Sequence, residues 1–228
     1  MSDPKRGNGW LLALDTATNT IVVAAGSTSG ELLAAEAFEG RYRHSQELLP
    51  TVVRVIEEAG LRLQDLAGIV VGIGPGAFTG LRVGIATAKT LAHELRCPIV
   101  GVASSAALLA AVDGAAVVWL PSGLRNRVAV VAGADPVIVA GADPGPAIPA
   151  GAIEIAVDLE GRASDGALAL GRQAVAGLPA ALVRLGAARL AAGDEDDAER
   201  LVPRYASPPR GALTSDSEGG VAWSRDPR

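Results

Sequence analysis

The chain has 228 residues, of which 49% are hydrophobic and only 3% aromatic, with a formal net charge of −5. A sizeable core is available, built from Ala, Val, Leu and Ile, but stacking platforms for single-stranded nucleic acid are scarce, and the acidic balance argues against this chain alone gripping a phosphate backbone. Cys97 is the single cysteine and the two histidines, His44 and His93, are far apart, which excludes an intrachain disulfide and a cysteine-based metal cluster and fits a reducing compartment.

Trp10–Thr18 reads as a buried strand; Asp15 interrupts its apolar run too early for a signal peptide. Two further strands, Ile21–Gly26 and Glu31–Phe38, follow short turns and predict an antiparallel meander. His44–Gly60 carries Leu49, Val52, Val53, Ile56 and Ala59 at helical spacing, with Gly60 as its stop. Pro50 fits if the regular helix begins near it; otherwise it kinks the first turns. Leu66–Gly74 is a short apolar run, hence a buried strand, and the helix after it is expected to be capped by Thr79. Cys97–Ala103 and Ser104–Val112 add a strand and a helix. The order β-β-β-α-β-α-β-α fits an α/β layer with helices on the sheet faces. It is the order of the ribonuclease-H-like half-domain of actin-like ATPases and sugar kinases.

The second half predicts strands at Ala115–Leu120, Arg127–Gly133, Val137–Ala140 and Ile153–Leu159, the third between two "GADP" turns. Helices are expected within Ser164–Gly177 and Ala180–Leu190. Gly193–Arg200 is an acidic helix start or a solvated loop, and Leu201–Gly211 holds too many prolines for a helix. No window is expected to be long enough to span a membrane. The division expected is a half-domain over 8–112, a smaller one over 113–205 and a disordered tail over 206–228.

"GIGPGAFTGLRVGIATAKTLAHEL", Gly72–Leu95, opens like a phosphate cradle. A P-loop needs G-x-x-x-x-G-K-[ST], but Lys89-Thr90 follows Ala88 and lies well inside the helix. The dinucleotide pattern fails too, because Gly80 comes late for its third glycine. A backbone anion nest at the helix N-terminus is the remaining phosphate reading. A different regularity is present: Gly80, Gly84, Ala88 and Ala92 recur every four residues, a ridge with almost no side chain that lets another backbone come close. Such a ridge packs on a sheet or on a second helix. Leu81, Val83, Ile85, Leu91 and Leu95 lie beside it, and the preceding helix is similarly broad in its apolar surface. Two adjacent helices apolar on more than one face suggest a partner's helices.

The segments "LLALDTAT", "HSQELLP", "GIGPGAFTGLRVGIATAKTLA" and "GVASS" together resemble the TsaB (YeaZ) family over roughly residues 10–110. "PRY" at Pro203–Tyr205 is a weaker echo. The resemblance implies an actin-like ATPase (ribonuclease-H-like) fold: a β-β-β-α-β-α-β first half and a smaller degenerate second half. It implies a cytoplasmic, non-catalytic partner of the TsaD subunit, which with the ATPase TsaE supports threonylcarbamoylation of the tRNA adenosine next to the anticodon. ATP and metal then belong to the partner subunits, tRNA is met only through the complex, no membrane is involved, and the chain alone forms a homodimer. The positions matching the two metal histidines of TsaD are Ser104 and Leu108, neither an imidazole ligand. The docking surface implied is Leu49, Val52, Val53, Ile56, Gly80, Gly84 and Ala88, so Gly84→Leu is expected to block docking and leave the fold largely intact. "PSGLRNRVAV" departs from the family's Asp-Ala-Arg and Glu-Val-Tyr pattern.

Asp15 ends the first strand, where actin-like kinases keep a metal-phosphate aspartate, and Thr16 and Thr18 could donate to phosphate. These three are the candidate nucleotide-binding residues of an alternative reading, an actin-like ATPase or small-molecule kinase. The simpler role for Asp15 is to satisfy turn amides. A diverged stand-alone homodimer is the third reading. His44 reads as a capping or interface residue, His93 as a solvent or interface residue and Cys97 as a small buried one. No H-E-x-x-H, G-x-S-x-G or Cys–His arrangement is present, so peptidase chemistry is not expected.

Overall fold

The first strand, β1 (Trp10–Asp15), is buried at every residue, because it lies in the middle of a sheet covered on both faces. The computed structural model describes residues 9–40, 44–141, 143–148, 150–206, 213–214 and 221–222. β1 pairs antiparallel with β2 (Thr20–Ser27), which pairs antiparallel with β3 (Leu32–Glu39), so the meander is as expected. Helix α1 (His44–Glu58) then leads to a single 3-10 turn and β4 (Leu66–Gly72), parallel to β1. Helix α2 (Phe78–Leu95) leads to β5 (Ile99–Val102), parallel to β4, giving a five-stranded sheet of order β3-β2-β1-β4-β5. Helix α3 (Ser104–Ala110) closes this half.

The second half repeats the pattern on a smaller scale. β6 (Ala115–Ser122) pairs antiparallel with β7 (Asn126–Val131), β7 with β8 (Val137–Val139), and β9 (Ile153–Ala156) runs parallel to β6. The order β8-β7-β6-β9 is that of β3-β2-β1-β4 without the fifth strand. Where α1 joins β3 to β4, the described residues between β8 and β9 form no helix, in a stretch rich in Gly and Pro.

Helix α4 (Asp165–Ala191) differs from expectation. Two helices broken near Pro179 were expected; one helix of 27 residues runs through it. Proline forfeits one backbone bond, which the packing of α4 on both sheets outweighs. Ser164 caps the helix by accepting from the Ala167 amide at 3.2 Å. Gly171 lets it approach the Ala156 backbone, and Gly186 lets it approach Val70. One buried cluster therefore joins Leu11, Val22 and Val70 of the first sheet to Val118, Val128 and Ile155 of the second through Leu178 and Leu182. By length and apolarity α4 could cross a membrane, against the expectation that no window would; 44% of its most apolar window is buried inside the protein, and it is the core helix between the two sheets.

The segment after α4 closes the free edge of β5. The Asp196 amide donates to the Ile99 carbonyl at 2.9 Å, and the Gly101 amide donates to Asp196 Oδ2 at 2.7 Å. Arg189 donates to the Gly101 carbonyl and to Asp196, so the edge is covered rather than left open. The acidic stretch is thus a structured loop, not a helix start. The expected disordered tail, 206–228, lies almost wholly outside the described residues; within it Leu213–Thr214 (β10) pairs antiparallel with Val221–Ala222 (β11).

Candidate functional site

The three candidate nucleotide residues sit at the end of β1, and all are buried: Asp15 and Thr16 are 0% exposed and Thr18 is 3%. Thr16 Oγ1 donates to the Gly80 carbonyl at 2.8 Å, and Thr18 Oγ1 donates to the Thr20 carbonyl at 2.8 Å. Asp15 Oδ1 accepts from the Ala17 amide at 2.8 Å, the turn role anticipated for it. Its Oδ2 lies under Gly72, where a Cβ would strike it, and carries no hydrogen bond. Burial pushes the Asp15 carboxyl above the usual carboxylate range; the Ser104 hydroxyl and the Ala17 amide pull it the other way without cancelling that effect. In this structure the three side chains are engaged with the protein's own backbone.

Ser104 and Leu108 are both buried on α3. Ser104 Oγ accepts from the Gly74 amide at 3.1 Å, and Leu108 lies in the shared core. Among the described residues no group of three or more His, Cys, Asp and Glu side chains could hold a metal ion. The side chain of His44 lies outside the described residues, His93 is exposed in the last turn of α2, and Cys97 is half-buried.

The ridge of α2 faces inward. Gly80, Gly84, Ala88 and Ala92 are all buried, and a Cβ at Gly84 would press on Thr16, with Cγ2 at 3.1 Å. On α1, Val52 is 5% exposed and packs in the core beneath the first sheet. Four of the seven docking candidates, Val52, Gly80, Gly84 and Ala88, are therefore interior residues and present no surface to a partner. The other three remain at the outside: Leu49 is 49% exposed, Val53 is 53% exposed and Ile56 is half-buried. They lie at i, i+4 and i+7, on one face of α1. On the neighbouring α2, Val83, Thr87 and Leu91 repeat every four residues and are half-buried. Arg54 of α1 makes a two-pronged, solvent-exposed ion pair with Glu36 of β3, at 2.9 and 2.6 Å.

Helix α2 begins at Phe78 with Ala77 as its N-cap and no side-chain cap, so Thr79 is not the capping residue. The Ala77 amide donates to the Ala17 carbonyl at 2.7 Å, so its first turn is anchored by the β1–β2 turn instead. Sequence reasoning missed what else holds this end. The Arg204 amide donates to the Ile73 carbonyl at 2.7 Å, and the Tyr205 ring stacks on Phe78 with centroids 4.9 Å apart. Arg82 lies 4.2 Å over Phe78 and donates to the Tyr205 hydroxyl at 3.2 Å. Lys89, which looked like a phosphate lysine, donates to the Glu199 and Leu201 carbonyls of the same strap. The available signal was a tyrosine after a proline-flanked arginine in a chain with so few aromatics.

A cleft of about 740 Å³ opens beside this strap, between the turn at Ala17–Asn19, the start of α2 and the β6–β7 hairpin. Its walls are mostly apolar and amide, and the charged side chain lining it is Asp158, which accepts from the Asn19 amide at 2.7 Å. Among the described residues, these walls offer a polyphosphate no cation.

Two sheets of repeated order around a shared helix define a ribonuclease-H-like protein of the actin-like ATPase fold. A family model described as "TsaD: tRNA N6-adenosine threonylcarbamoyltransferase" matches residues 39–185. The chain belongs to that family, on its TsaB (YeaZ) branch. It is 36% identical over 100 residues to the tRNA threonylcarbamoyladenosine biosynthesis protein TsaB of Bacillus subtilis, covering 44% of this chain and 43% of that one. It is 38% identical over 95 residues to an uncharacterised protein of Mycobacterium tuberculosis, covering 41% of this chain and 45% of that one. The matched region thus spans less than half the length of these curated relatives. The solved structure of YeaZ from Pseudomonas aeruginosa superposes with a TM-score of 0.67 at 26% identity, over 86% of this chain and 99% of that one.

Proposed function

We propose that this chain is a non-catalytic, cytoplasmic subunit that docks through the outer faces of α1 and α2 on a TsaD-like catalytic protein. With a TsaE-like ATPase, that assembly would threonylcarbamoylate the tRNA adenosine next to the anticodon. The observation that carries the reading is the apolar stripe of Leu49, Val53 and Ile56, two of whose members are about half exposed on a helix whose other face is fully packed. An isolated exposed Leu is ordinary, but a stripe at i, i+4 and i+7 beside a second helix fits a helical partner. The same face serves a homodimer when the partner is absent. ATP and metal are assigned to the partner subunits, because Asp15, Thr16 and Thr18 are engaged with the fold and the described residues of the cleft walls include no cation. A net charge of −5 leaves tRNA contact to the complex.

Light scattering on the full chain, alone and mixed with TsaD from the same source, tests this. A dimer exchanging into a one-to-one heterodimer is the expected result. Val53→Asp places a charge at the centre of the stripe and should weaken that heterodimer by roughly tenfold or more, while the melting temperature stays put because Val53 is exposed. Wild-type affinity in Val53→Asp would remove this face from the interface, and ATP binding by the chain alone would return the kinase reading.

A further inference from the structure

Asp15 is the one carboxyl among the described residues that is wholly buried, and none of those residues supplies it a counter-charge. Opposite it on β2 is Val22; above it are Gly72 at the end of β4 and Ser104 at the start of α3. The groups acting on it are the Ser104 hydroxyl and the Ala17 amide, with no charged side chain from β2, β4, α2 or α3. Oδ1 is satisfied by the Ala17 amide, and Oδ2 is enclosed without a partner. Gly72 exists without a side chain where that oxygen sits: a Cβ there would overlap Oδ2 and come within 2.8 Å of Ser104 Oγ. Ser104 in turn holds the next loop, accepting from the Gly74 amide while its own amide donates to the Gly74 carbonyl at 2.9 Å. The carboxyl is thus the floor on which the β4–α2 and β5–α3 junctions rest.

An ionised carboxylate in such a place would have only the Ala17 amide and the nearby Ser104 hydroxyl to offset its burial and no cation, which is a costly arrangement; the neutral acid costs far less. We propose that Asp15 is carried as the uncharged acid at neutral pH, its proton held on Oδ2 beneath Gly72 and Ser104, and that it pins the two junctions that orient α2. In this state it carries no charge with which to hold a metal-bound phosphate. Loss of the proton as pH rises places an unpaired charge under both junctions and loosens the start of α2.

The sign of the pH effect follows from the direction of the shift. A carboxyl raised in the folded state ionises first in the unfolded chain, so the stability that Asp15 contributes is fully present below the ordinary aspartate range and is lost as pH rises through the folded value. The test is carbon-13 NMR of the Asp15 carboxyl in the full chain from pH 3 to 9, with Asp15→Asn identifying the signal. The expected result is a carboxyl still in its protonated position at pH 7. A signal that titrates near pH 4 with the surface carboxylates would overturn the proposal. Urea unfolding of both proteins gives an independent readout: the midpoint of Asp15→Asn should gain on the wild type as pH rises from 5 to 9. A gap that does not change with pH would overturn it as well.

Discussion

Thr16 and Gly84 meet where β1 ends and α2 crosses it, and the contact decides what the small-residue ridge is for. The Thr16 hydroxyl donates to the Gly80 carbonyl, and the same oxygen, with the methyl group beside it, occupies the space a side chain at 84 would need. Gly84→Leu is therefore expected to damage the fold, reversing the expectation that it would block docking alone. Overpacking at such a site costs about 1–3 kcal/mol or more, which urea unfolding would read as a lower midpoint; an unchanged midpoint would sink this account. The four-residue spacing of Gly80, Gly84, Ala88 and Ala92 was legible in the sequence. Its direction was not, because a ridge without side chains suits a sheet beneath it as well as a helix outside it. The same ambiguity hid Val52, which shares its spacing with Leu49, Val53 and Ile56 but points into the core.

At the scale of elements, the start of α2 depends on partners remote in sequence. Thr79 had the chemistry of a cap but lies inside the helix, and the β1–β2 turn and the strap at Pro203–Tyr205 hold this end in its place. Tyr205→Ala removes one stacked aromatic pair and the acceptor of Arg82, which should cost about 1 kcal/mol. Hydrogen exchange should quicken in the first turns of α2 and leave the β6–β9 sheet unchanged; exchange that rises equally in both sheets would show that the strap has a wider role. The short strands and tight turns of the first half were readable because period-2 alternation and turn residues are local signals. The strap was not, since no pattern in residues 201–206 names Ile73 or Phe78 as their neighbours.

Across the whole molecule, α4 makes the two sheets one cooperative body. Leu182 is fully buried in the cluster that joins them, so Leu182→Ala should cost about 2–5 kcal/mol. Amides of both sheets should then lose hydrogen-exchange protection together. Loss confined to the β6–β9 sheet would mean that the halves are energetically separate. The sequence by itself determined the order of elements in the first half, the failure of the phosphate-loop patterns and the family resemblance, because composition, spacing and motifs are properties of neighbouring residues. Only the tertiary structure decided that α4 runs unbroken through Pro179, that the glycine ridge is interior, and that Asp15 is enclosed beneath Gly72. Each of those depends on which surface a segment meets, and burial against a distant part of the chain outweighs the local preference that the sequence displays.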